Sequence, residues 1–223
     1  MIPRNHILVR EAEGQPKREL WFLHGYGSNE QDLFGLARLL PSSWCVRSLR
    51  APFPLAQGGY SWYDLHFDAR GVRHTDPAQV RESLDWLKEL LKSSECRPTL
   101  FGFSQGGIMA NALAMSSPDL ISACVAVASY APTEWFSEGF ECKPDPELPH
   151  LAVVGTEDGV IPPGLALPSY ERAIALGAPV AVQTVAMGHG LAPEAWQRIA
   201  SWLNELDAAR NSTLTNPSMR RRP

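Results

Sequence analysis

Short apolar runs alternate along this chain with segments whose apolar residues recur at helical spacing. Ile7-Leu8-Val9 and Leu20-Trp21-Phe22-Leu23 read as early strands, and residues 45–49, 99–101 and 180–185 read as later ones. Residues 124–128 and 151–154 are continuous small or branched apolar runs, the pattern of strands covered on both faces in a parallel sheet. Helices fill the gaps. One is expected after Ser28, with Gln31 three residues on as in a capping box. Asp76-Pro77 opens the clearest one, with Asp76 at the cap, Pro77 in the first turn and Gln79 at the reciprocal position. Val80, Leu84, Leu87 and Leu91 then give that helix one buried face. Ile108, Met109, Ala112 and Leu113 form a second amphipathic pattern, residues 167–176 a third, and Trp196, Ile199, Leu203 and Leu206 line a final helix. The alternation predicts an α/β fold, a mostly parallel open sheet with helices on both faces, built as one domain over residues 1–210.

Three stretches depart from this pattern. Residues 51–75 carry Pro52, Pro54, Gly58, Gly59, Trp62 and Tyr63 without periodicity, and a loop that long in a compact domain tends to be functional. Residues 130–149 hold four prolines and are too short for a large cap domain. Residues 211–223 have almost nothing to bury and are expected to be a disordered tail.

Composition narrows the classes. The chain has 223 residues, 44% of them hydrophobic, enough for a sizeable core. Twenty basic against 24 acidic residues give a net charge of −4, so a nucleic-acid partner is not expected. No apolar run approaches the ~18–20 residues of a membrane helix, so stable membrane insertion is not expected either. The first residues lack an apolar signal core, and a cytoplasmic location is the expectation. Cys45, Cys96, Cys124 and Cys142 form no C-x-x-C pair and read as free thiols rather than a disulfide framework or a zinc site. With no metal cluster and no phosphate-cradling G-x-x-x-x-G-K-[ST], neither metal nor cofactor is expected.

The chemistry centres on Gly102-Phe103-Ser104-Gln105-Gly106, a G-x-S-x-G between an expected strand and an expected helix. A serine on such a sharp turn projects its hydroxyl outward, and the first N–H groups of the helix point at the same spot. A serine hydroxyl needs a neighbouring base, and that base needs an orienting carboxylate. In a parallel sheet these belong on loops at the carboxyl ends of strands. Two later loops fit: Gly155-Thr156-Glu157-Asp158-Gly159 and Met187-Gly188-His189-Gly190. The order Ser104, Asp158, His189 is that of α/β-hydrolases. Each residue also has an ordinary reading: Ser104 as a helix cap, Asp158 as a turn residue with Glu157 competing for its role, and His189 as a structural side chain. Backbone N–H groups of Gln105 and Tyr26 are the expected oxyanion donors, and His24 holds the turn before Tyr26.

These segments, His24-Gly25-Tyr26-Gly27, Gly102-Phe103-Ser104-Gln105-Gly106-Gly107, Gly155-Thr156-Glu157-Asp158 and Gly188-His189, closely resemble the phospholipase/carboxylesterase family, which includes the acyl-protein thioesterases. So does Arg50-Ala51-Pro52 followed by Ser61-Trp62-Tyr63-Asp64, and the resemblance runs from about residue 18 to 206. It implies an α/β-hydrolase fold without a large cap and metal-free hydrolysis of carboxylic esters or thioesters. It puts the catalytic triad on Ser104, Asp158 and His189, with the oxyanion donors at Tyr26 and Gln105. The implied substrate is a small-molecule ester or acyl thioester, an acylated protein and a lysophospholipid included. Tyr26 stands where the acyl-protein thioesterases usually carry leucine, which alters the wall of the acyl pocket, and residues 130–149 match the family poorly. Tyr26, Trp62 and Leu191 adjoin motif residues, and Trp62 and Leu191 are the candidates for a substrate pocket, with a core role as the alternative. A lactone hydrolase, a peptidase, a polymer-ester depolymerase and a non-catalytic binding protein of the same fold stay open, as does a homodimer.

Overall fold

The apolar runs pair into one sheet. The computed structural model describes residues 6–14, 18–67, 73–137 and 139–215. In chain order the elements are β1 (Ile7–Arg10), β2 (Arg18–Leu23), α1 (Gln31–Phe34), β3 (Trp44–Leu49), β4 (Phe53–Pro54), β5 (Tyr60–Ser61), β6 (Leu65–Phe67), β7 (Arg73–Thr75), α2 (Pro77–Lys92), β8 (Thr99–Phe103), α3 (Gln105–Ser116), β9 (Ala123–Val127), α4 (Thr133–Ser137), β10 (His150–Gly155), α5 (Pro163–Ala175), β11 (Val180–Val185) and α6 (Pro193–Thr215). Seven strands form the main sheet in the order β1-β3-β2-β8-β9-β10-β11. Within that sheet, among the described residues, only β1 runs antiparallel to its neighbour, and every other adjacent pair is parallel.

The central strands β2, β8, β9 and β10 are buried on both faces, which explains their continuous apolar runs, while the edge strands β1 and β11 keep exposed residues. Trp21, Leu23, Leu100, Cys124, Ala152 and Val154 join Leu84 and Leu87 of α2, Ile108 and Met109 of α3, and Tyr170 of α5 in one apolar cluster. Their strand neighbours Phe22, Phe101, Val125, Leu151 and Val153 face the opposite way and are equally buried. At roughly 25 cal/mol per Å² of apolar surface removed from water, this two-sided burial is the main favourable contribution to the fold.

Some local expectations are replaced. Ser28 does not cap a helix: α1 begins after Glu30, and Ser28 pairs with Tyr60 across an isolated bridge. Residues 51–75 contain two short ladders, β4 with β5 and β6 with β7, and residues 68–72 lie outside the described residues. Helix α3 is not amphipathic, since all twelve of its residues are buried. Cys45 and Cys124 are buried thiols, while Cys96 and Cys142 are half-buried.

The chain divides into two units, Met1–Gly190 and Leu191–Pro223. The first holds the sheet. The second holds α6, whose Ala195, Ile199 and Leu203 are buried at helical spacing. Helix α6 continues to Thr215, past the expected end of the domain at 210; the rest of the expected tail, 216–223, lies outside the described residues. No helix among the described residues is long and apolar enough to cross a membrane.

Candidate active site

Strand β8 ends in a turn so tight that Ser104 adopts φ 52° and ψ −118°. A positive φ at a non-glycine residue costs on the order of 1–3 kcal/mol and persists only where the surroundings over-determine it. Here they do. A Cβ on Gly102 would lie 2.2 Å from the Gly106 carbonyl oxygen, and one on Gly106 would lie 2.1 Å from that of Leu23. A Cβ on Gly107 would meet the Ser129 Cβ at 2.7 Å. The glycines therefore let the first turn of α3 press against β2, β8 and Ser129 in the loop that follows β9. The Ser104 hydroxyl makes no capping hydrogen bond to α3, so the helix-cap alternative is not what this side chain does.

The hydroxyl instead meets His189, with Oγ 2.9 Å from Nε2. On the other side of the ring, Nδ1 lies 2.8 Å from Asp158 Oδ2. Asp158 is buried, and its Oδ1 accepts from the N–H groups of Val160 (2.8 Å) and Ile161 (2.9 Å). With Oδ1 filled, Oδ2 accepts from Nδ1–H, which leaves the Nε2 lone pair facing the serine. Glu157 is exposed to solvent, and the carboxylate that reaches the ring belongs to Asp158. The three residues converge because β8, β10 and β11 are parallel, so the loops following them emerge at one edge. The last two loops are also tied together: Thr156 N–H donates to Val185 O (2.9 Å), Glu157 N–H donates to Met187 O (3.1 Å), and a Cβ on Gly155 would sit 2.5 Å from Met187 O. Phe103, which the motif treats as an arbitrary residue, lies against the His189 ring with centroids 5.2 Å apart.

The turn after β2 comes up beside the serine. A Cβ on Gly25 would be 3.4 Å from the Ser104 Cβ and 3.2 Å from Phe103 Cδ1, so only glycine permits so close an approach without displacement. His24 is buried and both ring nitrogens are used: Nε2 accepts from Ala51 N–H (3.0 Å), so Nδ1–H donates to Gly25 O (2.7 Å). Burial lowers its pKa below the ordinary value, and the neutral ring acts as a brace. Gly27 N–H donates to Tyr60 O (2.9 Å) and Tyr60 N–H to Ser28 O (2.8 Å). Gly59, at φ 76°, is required there, since a Cβ would fall 2.0 Å from Gly27 O. Arg50 forks onto both carboxylate oxygens of buried Glu30, holding that carboxyl below its usual pKa, and reaches Tyr60 OH at 3.1 Å. The Tyr26 side chain stays 37% exposed at the tip of this turn.

The two pocket candidates fare differently from the triad candidates. Trp62 is 0% exposed, and its indole N–H donates to His24 O at 2.8 Å, so it offers no wall to a substrate in this structure. Leu191 opens the second unit and is half-buried. Sequence reasoning gave the Gln105 side chain no task, yet its amide is buried and bonded at both ends to the long loop, to Trp62 N–H (2.9 Å) and Tyr63 O (2.7 Å). Its place beside Ser104 was the one available signal. Among the described residues no three His, Cys, Asp or Glu side chains converge as a metal site.

A model of the family described as Phospholipase/Carboxylesterase matches residues 4–206. Among solved structures, acyl-protein thioesterase 2 from Zea mays is similar with a TM-score of 0.74 and 21% identity, over 89% of this chain and 97% of that one. Esterase PE8 gives 0.71 and 23%, over 89% and 96% of the two chains. The carboxylesterase of Bacillus cereus gives 0.69 and 19%, over 91% and 95%. At such identities these likenesses speak for a shared fold.

Proposed function

The chain belongs to the phospholipase/carboxylesterase family of α/β-hydrolases, and from that premise we propose that it hydrolyses carboxylic esters or thioesters through Ser104, His189 and Asp158. The observation that carries this reading is the relay from Ser104 Oγ through the His189 ring to a buried, doubly anchored Asp158 carboxylate. A hydroxyl on a strained turn with a base at 2.9 Å is arranged to lose its proton as it attacks.

In the proposed cycle, Ser104 Oγ attacks the acyl carbon while His189 Nε2 takes its proton, and Asp158 stabilises the imidazolium that forms. Negative charge collects on the former carbonyl oxygen. Gln105 N–H, at the first position of α3, has no intrahelical acceptor, and Tyr26 N–H lies on the facing turn; these two are the proposed donors to that oxygen. Each such donor is worth about 3–4 kcal/mol in the transition state. His189 then protonates the departing alcohol or thiol, the acyl-enzyme remains on Ser104, and water activated by the same ring releases the acid. The substrate is a carboxylic ester or acyl thioester, a class that takes in small-molecule esters, lysophospholipids and acylated proteins.

A panel of p-nitrophenyl acyl esters and acyl thioesters of two to sixteen carbons tests this, with peptides and lactones as the contrasting arms. We expect turnover of esters or thioesters by the native chain, and a loss of at least about 10³-fold for Ser104→Ala. Turnover of peptides or lactones alone would overturn the substrate class, and an undiminished Ser104→Ala would overturn the nucleophile.

A further inference from the structure

The two proposed oxyanion donors belong to separate elements, the first residue of α3 and the turn after β2, so their spacing depends on the close packing of Gly106 against Leu23 and His24 and on the side chains that bridge the two elements. We propose that the Gln105 side chain and the Trp62 indole form one positioning strap that sets this spacing, an inference that rests on the reading of Ser104 as nucleophile. The strap starts on the residue whose own N–H is one donor. Gln105 Oε1 accepts from Trp62 N–H (2.9 Å), and Gln105 Nε2 donates to Tyr63 O (2.7 Å). The Trp62 indole then donates to His24 O (2.8 Å), the carbonyl that leads into Gly25 and the second donor, Tyr26. Two hydrogen-bonded steps thus connect α3 to the facing turn.

Each link is fixed from outside as well. Ser83 of α2 donates its hydroxyl to Trp62 O at 2.5 Å. The Trp62 ring neighbours those of His24 and Trp86, with centroids 5.7 and 6.1 Å away. The His24 ring is locked by Ala51 N–H and Gly25 O. Gln105, Trp62, His24 and Ser83 are all buried, so none of these polar groups has water as an alternative partner.

The chemistry of the strap dictates its residue types. Gln105 faces a donor and an acceptor on one backbone stretch, and a side-chain amide answers both; a carboxylate would set oxygen against the Tyr63 carbonyl. Trp62 needs a ring that fills the site and carries an N–H, which phenylalanine lacks. A strap of this kind acts where charge develops, so loosening it raises the barrier without weakening ground-state binding.

Trp62→Phe and Gln105→Glu test it, with active sites counted by fluorophosphonate titration and a p-nitrophenyl ester as substrate. Both variants should lose kcat on the order of 10- to 100-fold while KM stays within about twofold. An alkyl trifluoromethyl ketone, which forms a tetrahedral adduct on the serine, should weaken by the same factor as kcat/KM. Because the two variants cut opposite ends of the strap, either one that folds gives the reading. A raised KM at unchanged kcat would make Trp62 a substrate wall and overturn the strap. A lowered Tm with unchanged kcat and inhibition would reduce it to packing and overturn it too. If the native chain itself takes no fluorophosphonate on Ser104, the nucleophile reading falls and the strap with it; if Ser104 is labelled and the variants keep kcat, the strap alone falls.

Discussion

Two histidines, one opening β10 and one in the loop after β11, show how much surroundings decide about a side chain. His189 is half-buried and has a partner on each ring nitrogen, Ser104 and Asp158. His150, at the start of β10, is buried, with Nε2 bonded to Asn111 Oδ1 at 2.8 Å and Nδ1 without a partner among the described residues. Since Asn111 Oδ1 accepts, the proton of neutral His150 sits on Nε2. Burial drives its pKa from 6.5 to about 4. The unfolded chain therefore takes this proton first on acidification. The stabilisation from keeping His150 neutral is full above pH 6.5, falls as the pH drops toward 4, and changes no further below that. The separation corresponds to about 3 kcal/mol. Urea denaturation between pH 7 and 4.5 should show this loss, and His150→Gln should flatten the slope; an equal slope in the variant would contradict it. Sequence pattern pointed to Ser104, Asp158 and His189 because each follows an apolar strand, and these side chains do meet at hydrogen-bond distance. It leaves Trp62 open between pocket and core, since an indole beside a loop motif looks the same whether it faces a ligand or a carbonyl such as His24 O.

Helices α2 and α3 mark the limits of reading elements from pattern. The Asp76 cap was legible: its Oδ1 accepts from Ala78 N–H at 2.9 Å and Gln79 N–H at 3.3 Å, and the apolar spacing gave the buried face of α2. The reciprocal bond was not formed, because the Gln79 side chain turns to Asp64, accepting from its N–H at 2.6 Å and donating to Oδ2 at 3.1 Å. A long-range partner won over a local one. Asp76→Ala should cost about 1 kcal/mol of unfolding free energy, with ester turnover unchanged at a temperature where the fold persists. An unaltered denaturation midpoint would show the cap to be idle. The spacing of apolar residues predicts an amphipathic α3, but its small and polar residues are buried as well: Gly106 lies against Leu23, the Gln105 amide bonds the long loop, and Asn111 bonds Tyr130 O, Tyr170 OH and His150. The paired segments of residues 51–75 were illegible because two- and three-residue strands carry no period, and their register is set by contacts such as Gly59 on Gly27.

At the scale of the whole molecule, the alternation of apolar runs and helical segments was enough for a mostly parallel sheet, because burial on both faces leaves so plain a mark. Parallel order then gathers the ends of β8, β10 and β11, and the proposed chemistry depends on that gathering more than on any single residue. What pattern left unread is the division after Gly190, which follows from contacts rather than composition. The central claim, a serine made nucleophilic by His189 and Asp158, is tested most directly by treating the native chain and Ser104→Ala with an alkyl fluorophosphonate and weighing the intact proteins by mass spectrometry. The native chain should gain one phosphonyl group, mapped to Ser104, and lose its ester hydrolysis in step, while Ser104→Ala should gain none. A native chain that stays unmodified, or a Ser104→Ala chain that is modified equally, would contradict it.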